Sequence, residues 1–195
     1  MNNPRLKHVF AAFDALNATD PYHSEYQGKQ YGKEYLYSQH MHARLEQFCP
    51  SASEALSIAA YSQHIQRWKI LRTDYPEGRA GYKRWRTDLA KFHANTAAGV
   101  LIDLDYDADT IERVKSLLQK QGLKRDPETQ TLEDVICLVF LEHYLEDFAV
   151  KHEEEKLIVI IQKTWKKMSE DGHNAALALP LAEPMLDIIK KALSE

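Results

Sequence analysis

The chain has 195 residues, 44% hydrophobic and 28% charged, with a formal net charge of -4, ordinary values for one globular domain with a sizeable core. Seven glycines and seven prolines are few for this length and speak against a fold of many short strands and tight turns. Only two cysteines, Cys49 and Cys137, are present, and nothing in their placement suggests a disulfide framework or a cysteine-based zinc site.

Asn3-Pro4 opens the first predicted helix, with proline at its first position and Leu6, Val9, Phe10, Phe13 and Leu16 at helical spacing. The stretch NATDPYHSEYQGKQYG reads as a polar loop rich in tyrosine. A second helix over 33–48 carries Tyr37, Met41, Leu45 and Phe48 on one stripe, flanked by His40 and Arg44. Ser51 and Glu54 have capping-box spacing for a third helix, on which Leu56, Ala59, Ala60 and Gln63 share a face with His64 beside them and Trp68 one turn on. After a loop over 69–81, Tyr82, Trp85, Leu89, Phe92, Thr96 and Val100 define a long fourth helix with His93 at the stripe's edge. Asp107 or Asp109 caps a fifth helix that Gly122 stops. The sixth, TLEDVICLVFLEHYLEDF, is apolar over much of its circumference and carries Asp134 near its start. Helices near 153–170 and 182–194 complete an all-α, single-domain bundle of about eight helices spanning 1–195.

The opening MNNPRLKHVF lacks a long apolar region of the secretory kind, and the longest apolar run, VICLVFL, is too short to span a bilayer. The expectation is a soluble, cytoplasmic protein without a membrane partner. Cys137, inside that apolar run, is expected to be a small buried hydrophobe.

Nine histidines are many for this length, and His40, His64, His93 and Asp134 stand out because each lies at the edge of an apolar stripe on a different helix. Imidazoles and a carboxylate converging from separate helices suit a metal or acid–base site. Taken singly, each histidine is better explained by a hydrogen bond to a neighbouring carbonyl at a helix–helix contact, and only the four together point to a shared site. Between His64 and His93 the chain also carries eight basic residues against Asp74, Glu77 and Asp88, interleaved with Trp68, Tyr75, Tyr82, Trp85 and Phe92. Arginine offers a planar fork for phosphate or carboxylate, and tryptophan offers a stacking face. Arg67, Arg72 and Arg86 are assigned to an anionic, phosphate-bearing ligand, with Gln63, Trp68 and Trp85 as further contacts. Lys83, Arg84 and Lys91 read as a solvated face. No glycine-rich phosphate loop, nucleophile elbow or dinucleotide fingerprint occurs.

The strings AAYSQHIQRW, GYKRWR, KFHANTA, LEDVICLVFLEHY and KTWKKMSEDGH resemble an uncharacterised family of about this length whose members often carry the label "glutamyl-tRNA synthetase-like". The resemblance runs from FDALNATDP almost to the C-terminus. The chain has no Rossmann pattern with the signatures that label implies, and KKMSE within a helical pattern does not replace one.

The order of elements also resembles the HD-domain metal-dependent phosphohydrolases. QHMHARLEQF is similar to their first ligand helix, SIAAYSQHIQRW to the helix that bears a His-Asp pair, and LEDVICLVFLE to the last ligand helix. This resemblance implies an HD-like fold with a divalent metal (Mn, Fe, Co, Ni or Zn) on His40, His64 and Asp134. It also implies phosphoester hydrolysis involving His64, His93 and Asp134. Where those proteins pair His with Asp, this chain has Gln63-His64, which equally suits a metal-free, non-catalytic site for an anionic metabolite. RNA binding by the basic 64–93 segment ranks third, because no known RNA module is present.

Overall fold

The computed structural model describes residues 3–194. Backbone contacts divide the chain into two compact units, Met1–Gly122 and Leu123–Glu195, where the sequence suggested one domain. Both are helical, and the first contains a small two-stranded sheet.

The first unit begins with α1 (Pro4–Asn17), whose first turn is closed by the side chain of Asn3 accepting from Arg5 N. The loop expected next is a β-hairpin, β1 (His23–Tyr26) and β2 (Lys29–Gly32). Gln27 and Gly28 both have positive φ (50° and 75°), the conformation of a two-residue hairpin turn whose twist matches that of its strands. Helix α2 (Lys33–Phe48) follows directly, with Gly32 at its N-cap and therefore no side chain to cap it. Asp20 does the capping: one carboxylate oxygen accepts from Glu34 N and the other from Tyr22 N, each at 2.9 Å. One buried residue thus ties the hairpin to the start of α2.

Helix α3 (Glu54–Tyr61) is too short to persist alone, and it forms because seven of its eight residues are buried. Its N-cap is Ser53, accepting from Leu56 N at 3.1 Å, rather than Ser51. It ends at Tyr61, a full turn before His64, contrary to the expected extension to Trp68. Gln66 takes a left-handed conformation (φ 48°), which costs a non-glycine residue about 1–2 kcal/mol. Tertiary bonds offset that cost: Asn17 Oδ1 accepts from Gln66 N at 2.9 Å, and Gln66 Nε2 donates to Leu16 O at 3.3 Å. Two 3-10 turns, at Arg67–Lys69 and Arg72–Asp74, lead to α4 (Gly78–Asp103), which starts a turn earlier than expected. Helix α5 (Ala108–Leu118) is capped by Asp107, accepting from Thr110 N at 2.8 Å. Helices α4 and α3 both pack on α5, α2 packs on α3, and α1 packs on α3 and α4. The core holds Val9, Phe13, Met41, Leu45, Leu56, Ile58, Ile65, Leu89, Leu101 and Leu117. Removing one such side chain, as in Ile58→Ala, costs about 2–5 kcal/mol.

The second unit is built on α6 (Pro127–His143), capped by Asp126 and begun by Pro127, so it starts earlier than the apolar run alone suggests. It breaks at Tyr144, and α7 (Leu145–Ala149) is a separate short helix. The helix expected over 153–170 ends early, as α8 (Glu154–Trp165), and a helix not expected from the sequence, α9 (Glu170–Leu177), follows it. Ser169 divides them by capping α9, its Oγ accepting from Gly172 N at 3.0 Å. Helix α10 (Glu183–Ser194) packs on α8, and α9 on α6. Cys137 is buried as expected. Among the described residues no helix is long and apolar enough to cross a membrane.

Candidate functional site

The turn after α3 and the facing side of α4 line a cleft of about 230 Å³ in the first unit, and Lys120, beyond α5, lines it as well. Gln63, His64 and Arg67 line it from the turn, and Arg86, Lys91 and His93 from α4. Five predicted site residues therefore meet here: Gln63, His64, Arg67, Arg86 and His93. The His64 and His93 ring centroids are 6.0 Å apart.

His64 is held on three sides. Its ring stacks on Tyr37 with centroids 3.7 Å apart and planes 13° from parallel. Arg67 Nη1 lies 3.1 Å from Nε2, and Nδ1 lies 3.2 Å from Glu34 Oε2. Arginine only donates, so Nε2 accepts, and the ring proton sits on Nδ1 facing Glu34. Burial, then the positive charges of Arg67 and Arg86, hold the His64 imidazole neutral, well below its ordinary pKa. Burial acts the same way on His93, reinforced by His64, Arg67 and Arg86, although a bond to the Gln63 main chain opposes it. Glu34 is pushed up to about 7 by burial, against the pull of Arg67 and Lys33. At neutral pH the Glu34 carboxyl group beside His64 is therefore partly protonated, and the charge around the cleft is positive.

Glu34 was missed in the sequence, though its signal is there. The stripe Tyr37, Met41, Leu45 continued back by three residues reaches Glu34, an acid on an apolar face. Lys91, read as solvated, and Lys120, not considered, also line the cleft.

Trp85 lies beneath the arginines and does not line the cleft. The Arg67 guanidinium is 5.0 Å and that of Arg86 6.0 Å from its ring centroid, and its indole N–H donates to Ile70 O at 3.1 Å. Its aromatic face orients the cations. Arg72 donates to Tyr75 O at 2.8 Å in the second 3-10 turn, and neither it nor half-buried Trp68 lines the cleft.

The expected metal ligands are not gathered. Among the described residues no group of three or more His, Cys, Asp or Glu side chains could hold a metal ion. His40 is buried with its ring edge-on to Tyr26, centroids 4.8 Å apart, and does not line the cleft. Asp134 belongs to the second unit, and its carboxylate is committed there. It accepts from Ser169 N at 2.8 Å, Ser169 Oγ at 2.6 Å and Gln130 Nε2 at 3.1 Å. His64 offers Nε2 to a guanidinium, and the surrounding cations oppose a divalent ion. These residues do not fit the metal that the HD resemblance implies.

The model of a family described as a domain of unknown function (DUF4202) matches residues 7–189. The chain belongs to that family. Comparison with curated proteins and with solved structures finds no match.

Proposed function

We propose that the chain binds a small phosphate-bearing anion in the first-unit cleft without a metal. The observation that carries this reading is the convergence of Arg67, Arg86, Lys91 and Lys120 on one cleft whose two imidazoles are held neutral. Charge-assisted bonds from guanidinium to phosphate are the strongest hydrogen bonds such a site offers. The cleft is below the roughly 300–1,000 Å³ of drug-sized ligand sites, which favours a small metabolite over a dinucleotide. The test is calorimetric titration of inorganic phosphate and small phosphate esters into the protein in EDTA, beside Arg67→Ala and Arg86→Ala. Saturable binding in EDTA that either variant weakens about tenfold or more supports the reading. Binding that needs added metal, or that neither variant changes, contradicts it.

A second reading keeps the hydrolysis implied by the resemblance to HD-domain phosphohydrolases but runs it on protein groups alone. The Glu34–His64 contact favours it, because a carboxylate that fixes the proton on Nδ1 leaves Nε2 as a base. An anion drawing Arg67 onto itself would uncover Nε2. His64 would then take a proton from water as the water oxygen bonds to phosphorus. The ester oxygen would leave with the electrons of its P–O bond and receive that proton. Phosphate release in EDTA that His64→Ala abolishes is the expected result, and bound esters recovered intact would leave binding as the function.

A further inference from the structure

The cleft presents more than cations. Gln63 Oε1 and His93 Nε2 are buried and have no hydrogen-bond partner among the described residues. Both residues line the cleft, and both are more than nine-tenths buried, at 5% and 3% exposure. The tautomer of His93 follows from its surroundings. One ring nitrogen bonds to the Gln63 main chain, which offers a carbonyl to accept the Nδ1 proton, so Nε2 keeps a lone pair. Two buried acceptors left unpaired are costly, and proteins rarely leave such groups unmatched without a use for them.

From this, and resting on the phosphate reading above, we infer that the ligand is a phosphorylated polyol or sugar whose hydroxyl groups donate to Gln63 Oε1 and His93 Nε2. The two halves of the cleft ask for opposite things. Arg67 and Arg86 supply only donors and call for an anion, whereas Gln63 Oε1 and His93 Nε2 supply only acceptors and call for O–H or N–H. A fully ionised phosphate has no proton to give them. An ammonium group would bring donors, but it would carry its positive charge towards Arg67, Arg86 and Lys120, which makes the neutral hydroxyl the better match. His64 cannot supply the missing proton, since its own lies on Nδ1 towards Glu34.

The test compares methyl phosphate with glycerol phosphate, equal in charge and different in hydroxyl groups, by calorimetry on the whole chain in EDTA. Glycerol phosphate is expected to bind at least about tenfold more tightly, the equivalent of one well-made hydrogen bond to a buried acceptor. In Gln63→Met, of similar size without the acceptor, the ratio of the two affinities should fall, and in His93→Phe it should fall again. The wild-type ratio decides the matter even if a variant does not fold. Equal affinities for the two esters overturn the hydroxyl assignment and leave the anion site standing. Failure of both esters and of inorganic phosphate to bind overturns the anion site as well.

Discussion

Glu34 gives the site a measurable pH signature. Its carboxyl group lies on the buried face of α2, 3.2 Å from His64 Nδ1, and burial lifts it from an ordinary 4.5 to about 7. The folded chain therefore holds this proton up to about pH 7, while the unfolded chain releases it near 4.5. Between those values the native state binds more protons, so this group's contribution to stability declines as pH rises and is fully lost above about 7. The lift corresponds to about 3 kcal/mol. His64 and His93 act in the opposite sense: their folded pKa values are lowered, so they cost stability as pH falls below the ordinary histidine value, where the unfolded chain takes up protons. Glu34→Gln removes the first effect, keeps the second and preserves an acceptor for the His64 proton. Urea unfolding of wild type and Glu34→Gln, followed by tryptophan fluorescence from pH 4.5 to 8, reads the difference. The variant's stability relative to wild type should rise by about 3 kcal/mol between pH 4.5 and 7 and stay level above that. A relative stability that does not change with pH would refute the assignment of Glu34 as a buried, reluctantly ionised acid.

Other substitutions test neighbouring parts of the structure. Asn17→Ala removes the acceptor for Gln66 N and should cost about 1–3 kcal/mol in urea unfolding, with weaker phosphate binding because the same turn carries Arg67. Asp134→Ala strips Ser169 of both its bonds to the carboxylate and should destabilise the second unit by about 2–4 kcal/mol, read as earlier hydrogen exchange in α9. Gly172→Ala, which on helix propensity alone should stabilise α9, is expected to destabilise it by about 1–3 kcal/mol. The added Cβ would lie 2.6 Å from Asp134 Oδ1 and 2.8 Å from its Cγ, and a stabilised variant would show that α9 can shift away.

The helical class and much of the cleft were legible because they follow from local pattern. Apolar residues at 3-4 spacing marked α1, α2, α4, α5 and α6, and the unusual density of arginine around Trp85 marked one wall of the cleft. What escaped depended on contacts distant in sequence. Nothing near Gln66 announces a left-handed residue, since the groups that hold it, Leu16 and Asn17, lie some fifty positions earlier. The hairpin was hidden by its short strands, although Gln27-Gly28 carried a turn signal. His40 and Asp134 matched the pattern of ligand helices, but sequence position does not reveal what already occupies a side chain. For Asp134 that is the N-terminus of α9.

The most direct measurement is long-range proton–nitrogen NMR of the imidazoles during titration with inorganic phosphate in EDTA. His64 and His93 line the cleft, whereas His8 and His23 are exposed elsewhere in the same unit. Signals of His64 and His93 that move together along one saturation curve, with those of His8 and His23 unmoved, are the expected result. Unmoved His64 and His93 signals at saturating phosphate would contradict a metal-free anion site in this cleft.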